Sequence, residues 1–361
     1  MKRQGLDALV LANQGNVFYF SSFSKMVPGE GCLILPLNEE PTLVVSYTQR
    51  GNAERLTWVS NLRNYSKPGD PWPGTEIPTD ANTAIREAIR EKNLHGKKLG
   101  VDTEGLKDAL GEEEALDCNS LTWEIRIRKS KFEVDKIRKV SRVACKAIET
   151  GFEELKAGMN EMDFAAIVYQ SLIKLSGGNP PAFMTIRSGS DKCKMINGPQ
   201  VSRRILKGDL VVLDTGATLD GYASDVMRTA CVGKATDKQK RLHALELKAQ
   251  QTGVKACKPG VKACDVLRAV LKVFKEAGIE PGRYTERCGH GLGIGGYNPP
   301  YLNLSDTTPL AEGMVITVEP NLWDAPLFGN PTMNIAIEDT LLMTKDSAEV
   351  LTPLNRDLWE T

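Results

Sequence analysis

The chain is poor in histidine and in aromatic residues, and it has no surplus of charge of either sign. Of its 361 residues only three are histidine and 6% are aromatic, and 46 basic side chains are balanced by 46 acidic ones. A neutral balance excludes the broad basic footprint by which proteins hold nucleic acid or an anionic membrane surface. No stretch approaches the roughly 18 apolar residues of a membrane span. The opening MKRQGLDALVL does not read as a secretory leader, because its apolar run goes straight into Asn13 and Gln14 without a small-residue cleavage site. The eight cysteines (Cys32, Cys118, Cys145, Cys193, Cys231, Cys257, Cys264 and Cys288) include no C-x-x-C pair. Free thiols in a reducing, cytoplasmic setting are the expectation, with Cys288 a packing residue although it lies two positions before His290.

What is present is ordinary globular material, 41% hydrophobic and 25% charged, in a length that suggests two domains. The first segment alternates strands and helices: Leu6–Leu11, Gly31–Leu35, Thr42–Val45 and Leu99–Asp102 read as strands, and Asp80–Lys92 as an amphipathic helix. Asn13-Gln14-Gly15-Asn16 reads as a turn. Such interleaving implies an α/β layer. The proline-rich stretch from Lys67 to Gly74, with Trp72 in it, forbids regular structure. A basic run from Arg126 to Lys131 then leads into a helix over Glu133–Leu155, and is read as a solvated helix entrance. The domain boundary is placed there, giving an N-terminal domain over 1–126 and a second over 127–361. Further helices are expected over Asp163–Leu175, Asp237–Ala256 and Ala263–Ala277. His95 and His243 stand among charges and read as surface residues.

Four carboxylates and the remaining histidine stand out. The apolar strand Leu210–Leu213 ends on Asp214, and eleven residues later comes Asp225, with Gly216 and Asp220-Gly221 between them to make a hairpin. A hairpin lets the two carboxylates face each other, and two close carboxylates do not both stay ionised without a compensating cation. A divalent metal ion is the simplest one. His290 lies among Gly289, Gly291, Gly293, Gly295 and Gly296. A phosphate-cradling glycine loop is the competing reading, but the segment lacks the strand, helix and partner acid that such a loop requires. Met314–Val318 ends on Glu319, and Ile335–Ile337 on Glu338. A single acidic residue at a strand end is usually a turn or cap; four with one histidine call for another explanation.

In this order Asp214, Asp225, His290, Glu319 and Glu338, with the flanking words LDTGATLDGYASDVMRT, GHGLGIGGYNPP, EGMVITVEPN and IEDTLLMT, resemble the M24 metallopeptidase family. Its members include Xaa-Pro aminopeptidase, prolidase, methionine aminopeptidase and the non-peptidase creatinase. The resemblance covers roughly residues 130–355, and GLDALVLANQGNVFYFSSF resembles the creatinase-type N-terminal domain, without its usual short leading helix. It implies an α+β, creatinase/aminopeptidase P-like fold: an α/β N-terminal domain followed by a pita-bread catalytic domain. It implies two divalent metal ions (Mn, Co, Fe or Zn), one chelated by Asp214, a second bound by His290 and Glu319, with Asp225 and Glu338 bridging. A water held by the two metals would be the nucleophile, and Glu319 would shuttle its proton to the leaving amine. It further implies a homodimer whose N-terminal domain closes over the neighbouring site; the Trp72 loop itself reads first as a packed surface loop and alternatively as a lid over the partner's site.

The match is incomplete around the site. The resemblance leads one to expect histidines at positions held here by Asn197, Tyr297 and Glu286, and an arginine where Ala336 stands. Asn197, Tyr297 and Tyr222 are the candidate substrate-facing residues. The metal platform is kept while the substrate apparatus differs. A metal-dependent hydrolase of Xaa-Pro dipeptides or related small amides is the first reading. An enzyme cleaving a C–N or C–S bond of a small charged metabolite, as creatinase, ectoine hydrolase or a sulfonium lyase would, is the second. A catalytically silent binding module is the third.

Overall fold

The structure is a computed structural model that describes residues 1–23, 31–67, 69, 77–111, 114–189, 203–326 and 331–361. Asn197, Cys193 and Trp72, with most of its loop, lie outside the described residues. The chain divides into two compact units, Met1–Ile125 and Arg126–Thr361.

The first unit runs β1 (Ala8–Leu11), α1 (Gln14–Ser21), β2 (Gly31–Pro36), β3 (Thr42–Ser46), α2 (Arg50–Leu56), β4 (Asn61–Tyr65), α3 (Ala81–Glu91), β5 (Leu99–Val101), α4 (Glu104–Leu110), β6 (Ala115–Asp117) and α5 (Asn119–Arg126). Its strands form one mixed sheet in the order β4-β3-β2-β1-β5-β6. β1 is apolar throughout because both of its faces are covered: Ala8 and Val10 enter one core with Ile85 and Ile89, while Leu9 and Leu11 enter another with Val17 and Phe23. The expected turn at Asn13–Asn16 is instead a helix start, with the Asn13 side chain accepting from the Gly15 and Asn16 amides at 3.0 and 3.3 Å.

The second unit runs α6 (Lys131–Glu154), α7 (Glu161–Leu175), β7 (Phe183–Ser188), β8 (Leu210–Gly216), β9 (Thr218–Leu219), β10 (Tyr222–Ala223), β11 (Val226–Cys231), α8 (Asp237–Ala256), α9 (Ala263–Glu276), β12 (Arg287–Gly291), β13 (Asn298–Asn303), β14 (Val315–Val318), β15 (Asn321–Trp323), β16 (Asn334–Ala336), β17 (Asp339–Met343), β18 (Ala348–Val350) and β19 (Trp359–Glu360). Two larger sheets form, ordered β19-β11-β8-β7 and β13-β12-β14-β17-β18. Helices α6 and α7 pack on the first through Ile148, Phe152, Phe164 and Val168 against Ile186, Val211 and Leu213. Helices α8 and α9 pack on the second through Ala249 of α8 and Val266, Val270 and Phe274 of α9 against Cys288, Ile316 and Leu341.

Two surface expectations are corrected. The basic run at Arg126–Lys131 is not wholly solvated: Arg126 is buried and donates to the Ile294 carbonyl at 2.8 Å, and burial lowers the Lys129 ammonium to about 7. His243 lies on the inner face of α8, and burial lowers its imidazole to about 4. His95 is exposed. The seven described cysteines are free and buried.

Candidate metal centre

In β8, Val211 and Leu213 point into the core beneath α6, so strand alternation turns Asp214 to the opposite face. The chain reverses at Asp220 and Gly221, whose φ values of 48° and 76° are those a tight two-residue hairpin turn requires. β11 returns with Met227 opposite Asp214. Asp225, two residues earlier, therefore shares the Asp214 face as its diagonal neighbour. The Thr340 hydroxyl fixes the Asp225 carbonyl at 2.6 Å.

The second sheet supplies the other three residues. β12 holds one more residue than β13 between the pairs Arg287–Asn303 and His290–Tyr301. This bulge turns His290 away from the core that Cys288 fills. The flanking glycines serve close packing: a Cβ at Gly289 would stand 2.1 Å from the Thr317 carbonyl oxygen, and one at Gly291 2.1 Å from that of Pro299. His290 Nδ1 pairs with the Gly291 carbonyl at 2.9 Å. Its Nε2 then faces Asp225 Oδ2 at 3.4 Å and Glu319 Oε1 at 3.5 Å. Because Val318 pairs with Asp339 across β14 and β17, Glu319 and Glu338 fall opposite one another. The Glu338 amide donates to the Met227 carbonyl at 3.0 Å, joining the two sheets at the site.

Ligand atoms of Asp225, His290 and Glu338 all lie within 4.8 Å of one another. Burial, then the charges of Asp225 and Glu319, holds the Asp214 carboxyl well above the usual carboxylate range. Burial, then Asp225 and Glu319, does the same at Glu338, and burial raises Glu319. At His290 burial works downward, but the hydrogen bond to Asp225 and the Glu319 charge together raise it. Asp214 Oδ1, Glu319 Oε1 and both Glu338 oxygens have no hydrogen-bond partner among the described residues. Orphaned buried oxygens cost about 1–3 kcal/mol each or more when charged, and an oxygen-rich set with one imidazole suits a divalent cation. The residues fit the metal that the sequence implies.

Asp214, Asp225, His290 and Glu319 form one wall of a cavity of about 510 Å³ that Phe183, Thr218, Ala223 and Arg287 also line. Tyr297 is half exposed at this cavity, its ring 4.2 Å from that of His290 and 4.9 Å from the Arg287 guanidinium. Tyr222 is buried between Gly221 and Ala223; these two line the cavity and Tyr222 does not. Glu286 is exposed. Two arginines were missed from sequence. Arg287 gave no signal, but Arg187 stands inside the otherwise uncharged strand Phe183–Ser188, and a charge within a buried strand is such a signal.

Residues 135–345 match the sequence pattern of metallopeptidase family M24, and residues 1–128 that of the creatinase/prolidase N-terminal domain. The chain is 32% identical to an Xaa-Pro dipeptidase of Pyrococcus horikoshii over 99% of its own length and 96% of that protein. Among solved structures, the prolidase from Pyrococcus furiosus superposes with a TM-score of 0.81 at 28% identity, covering 99% of both chains. An X-Pro aminopeptidase from Thermotoga maritima has the same fold, with a TM-score of 0.86, 21% identity and coverage of 100% of this chain and 97% of that one. With its N-terminal and catalytic sequence patterns both matched and its full length shared with these relatives, the chain belongs to metallopeptidase family M24 and is a metal-dependent hydrolase.

Proposed function

We propose that the chain hydrolyses Xaa-Pro dipeptides or closely related small amides, with two divalent cations held by Asp214, Asp225, His290, Glu319 and Glu338. The observation that carries this reading is the group of buried carboxylate oxygens left without hydrogen bonds beside the cavity. Four carboxylates and a neutral imidazole carry four negative charges, which two divalent ions balance. The full-length likeness to an Xaa-Pro dipeptidase supports a peptide substrate over a small charged metabolite. Bound cations would supply Lewis acidity, polarising the scissile carbonyl and acidifying a water near neutral pH.

The chain's own side chains do the rest. The Gly291 carbonyl fixes the ring of His290 and thereby presents Nε2 to the site. Glu319 lines the cavity beside His290, where it takes a proton from the attacking water and returns it to the leaving nitrogen. Tyr297 forms a substrate wall; Asn197, from the sequence alone, and Tyr222, buried between the cavity-lining Gly221 and Ala223, are carried as further substrate-facing candidates.

The test is elemental analysis of the purified protein together with release of proline from Gly-Pro, with and without added Mn2+. About two metal ions per chain and metal-dependent release of proline are expected. Bound metal with no proline released would favour the metabolite-cleaving alternative. A protein that takes up no metal would overturn the ligand assignment.

A further inference from the structure

Arg287 begins β12 and is the one exposed residue of that strand, its side chain 43% exposed. It lines the cavity together with Asp214, Asp225 and Glu319, and among the described lining residues it alone carries a fixed positive charge. Its guanidinium lies 4.9 Å from the centre of the Tyr297 ring, within cation–π range. That ring in turn packs 4.2 Å from His290 and 5.3 Å from Tyr301, so the arginine rests on an aromatic group that is itself held beside the proposed ligands. Nη2 stands 3.8 Å from Glu319 Oε1, which is close enough for attraction and too far for a hydrogen bond. The five N–H donors of the guanidinium thus have no acceptor among the described residues, and they face a cavity large enough for a small substrate.

A planar guanidinium fork matches a carboxylate, which it holds by two parallel hydrogen bonds. A cavity lined by three carboxylates would repel an anionic substrate, so an anion entering it needs this cation. The position also suits the chemistry. In an Xaa-Pro dipeptide the leaving nitrogen and its carboxylate are joined through one carbon, and the nitrogen and the carboxylate carbon are about 2.5 Å apart by standard bond lengths. A carboxylate held by Arg287 therefore keeps the leaving nitrogen close to Glu319, the residue proposed to protonate it.

We propose that Arg287 binds the free carboxylate on the leaving residue of the substrate, and so sets the enzyme's preference for dipeptides over substrates whose C-terminus is blocked. The inference rests on the Xaa-Pro reading above. It is tested with the Mn2+-loaded protein on two substrates, Gly-Pro and glycyl-prolinamide, which differ only in the carboxylate. The parent should cleave Gly-Pro with a kcat/KM roughly ten- to a hundredfold above that of the amide, the range for a hydrogen bond to a charged group. Arg287→Gln should lose that factor on Gly-Pro and change little on the amide. The loss should fall on KM, because the carboxylate carries the same charge in bound substrate and in transition state. Arg287→Lys, which keeps the charge without the fork, should recover part of it. A parent that cleaves both substrates equally well would overturn the proposal without any variant. An equal loss on both substrates in Arg287→Gln would also overturn it, since the arginine would then act through Glu319 or through packing. A metal-loaded parent that cleaves neither substrate removes the Xaa-Pro reading and this proposal with it; cleavage of Gly-Pro by a parent whose glutamine variant keeps the same preference removes this proposal alone.

Discussion

Glu246 lies in α8, wholly buried, with neither carboxylate oxygen hydrogen-bonded among the described residues. Burial holds its carboxyl well above the ordinary value of 4.5, and only the Ile337 amide favours its charge. The folded chain therefore keeps this proton over a pH range where the unfolded chain has released it. Between the ordinary and the raised value the folded state binds more protons, so stability falls as pH rises. Glu246→Gln removes that titration. Its advantage over the parent should be small near pH 4 and grow above it to about 1–3 kcal/mol near neutrality, the cost of an unsatisfied buried group. Urea unfolding at pH 5 and pH 8 checks this, and a constant difference between the two would show that Glu246 does not titrate on folding. At the proposed metal centre, Asp225→Asn removes the charge of a proposed ligand and should abolish retention of metal through dialysis, read by elemental analysis. The proposed ligands stood out as candidates in sequence because each one ends or follows an apolar strand; Glu246 did not, because its spacing is that of any charged residue on a helix.

Among the elements, β12 is the one whose shape decides the site. Its extra residue turns His290 out of the core, and Gly289 lets the strand approach Thr317. Gly289→Ala puts a methyl group against a backbone carbonyl, which cannot rotate away as a side chain would. A loss of about 1–3 kcal/mol, as for overpacking, is expected together with weaker metal retention. Parent-like stability and metal content would show that the strand has slack. The long helices were legible to within a residue or two: α8 has the expected bounds, set at its start by the Thr236–Gln239 capping box. The bulge and the two-residue strand β19 were not, since β19 is defined by its pairing with β11, more than a hundred residues earlier. Ser130→Ala tests the capping box of α6 and should cost about 1 kcal/mol, measured by chemical unfolding.

For the molecule as a whole, each unit has its own buried cores, and the proposed ligands all belong to the second. Metal should therefore stabilise the second unit alone. Calorimetric scans should separate into two transitions, with excess Mn2+ raising one by about 2.7 kcal/mol at a hundredfold excess over the dissociation constant. A shift of both together would mean that the units unfold as one. Within the second unit Arg228 gathers distant segments: it donates to the carbonyls of Glu338, Leu354 and Asn355 and pairs with Asp339 at 2.8 Å, which also takes Arg356 at 2.5 Å. The two-domain order was legible from the composition shift near residue 125; this fastening was not, because its partners are more than a hundred residues apart.

The place of β19 has a consequence for the order of events during synthesis. The first unit has all its described strands by Asp117, whereas the sheet bearing Asp214 and Asp225 gains its edge only when Trp359 and Glu360 pair with β11. At roughly 5–20 residues per second, the ribosome needs on the order of ten to fifty seconds to cover that distance. Through that interval a finished first unit precedes a catalytic unit whose sheet is still open. Uptake of metal by the proposed ligands is therefore expected to follow the synthesis of Trp359 and Glu360, when β19 has closed the sheet that presents the carboxylates.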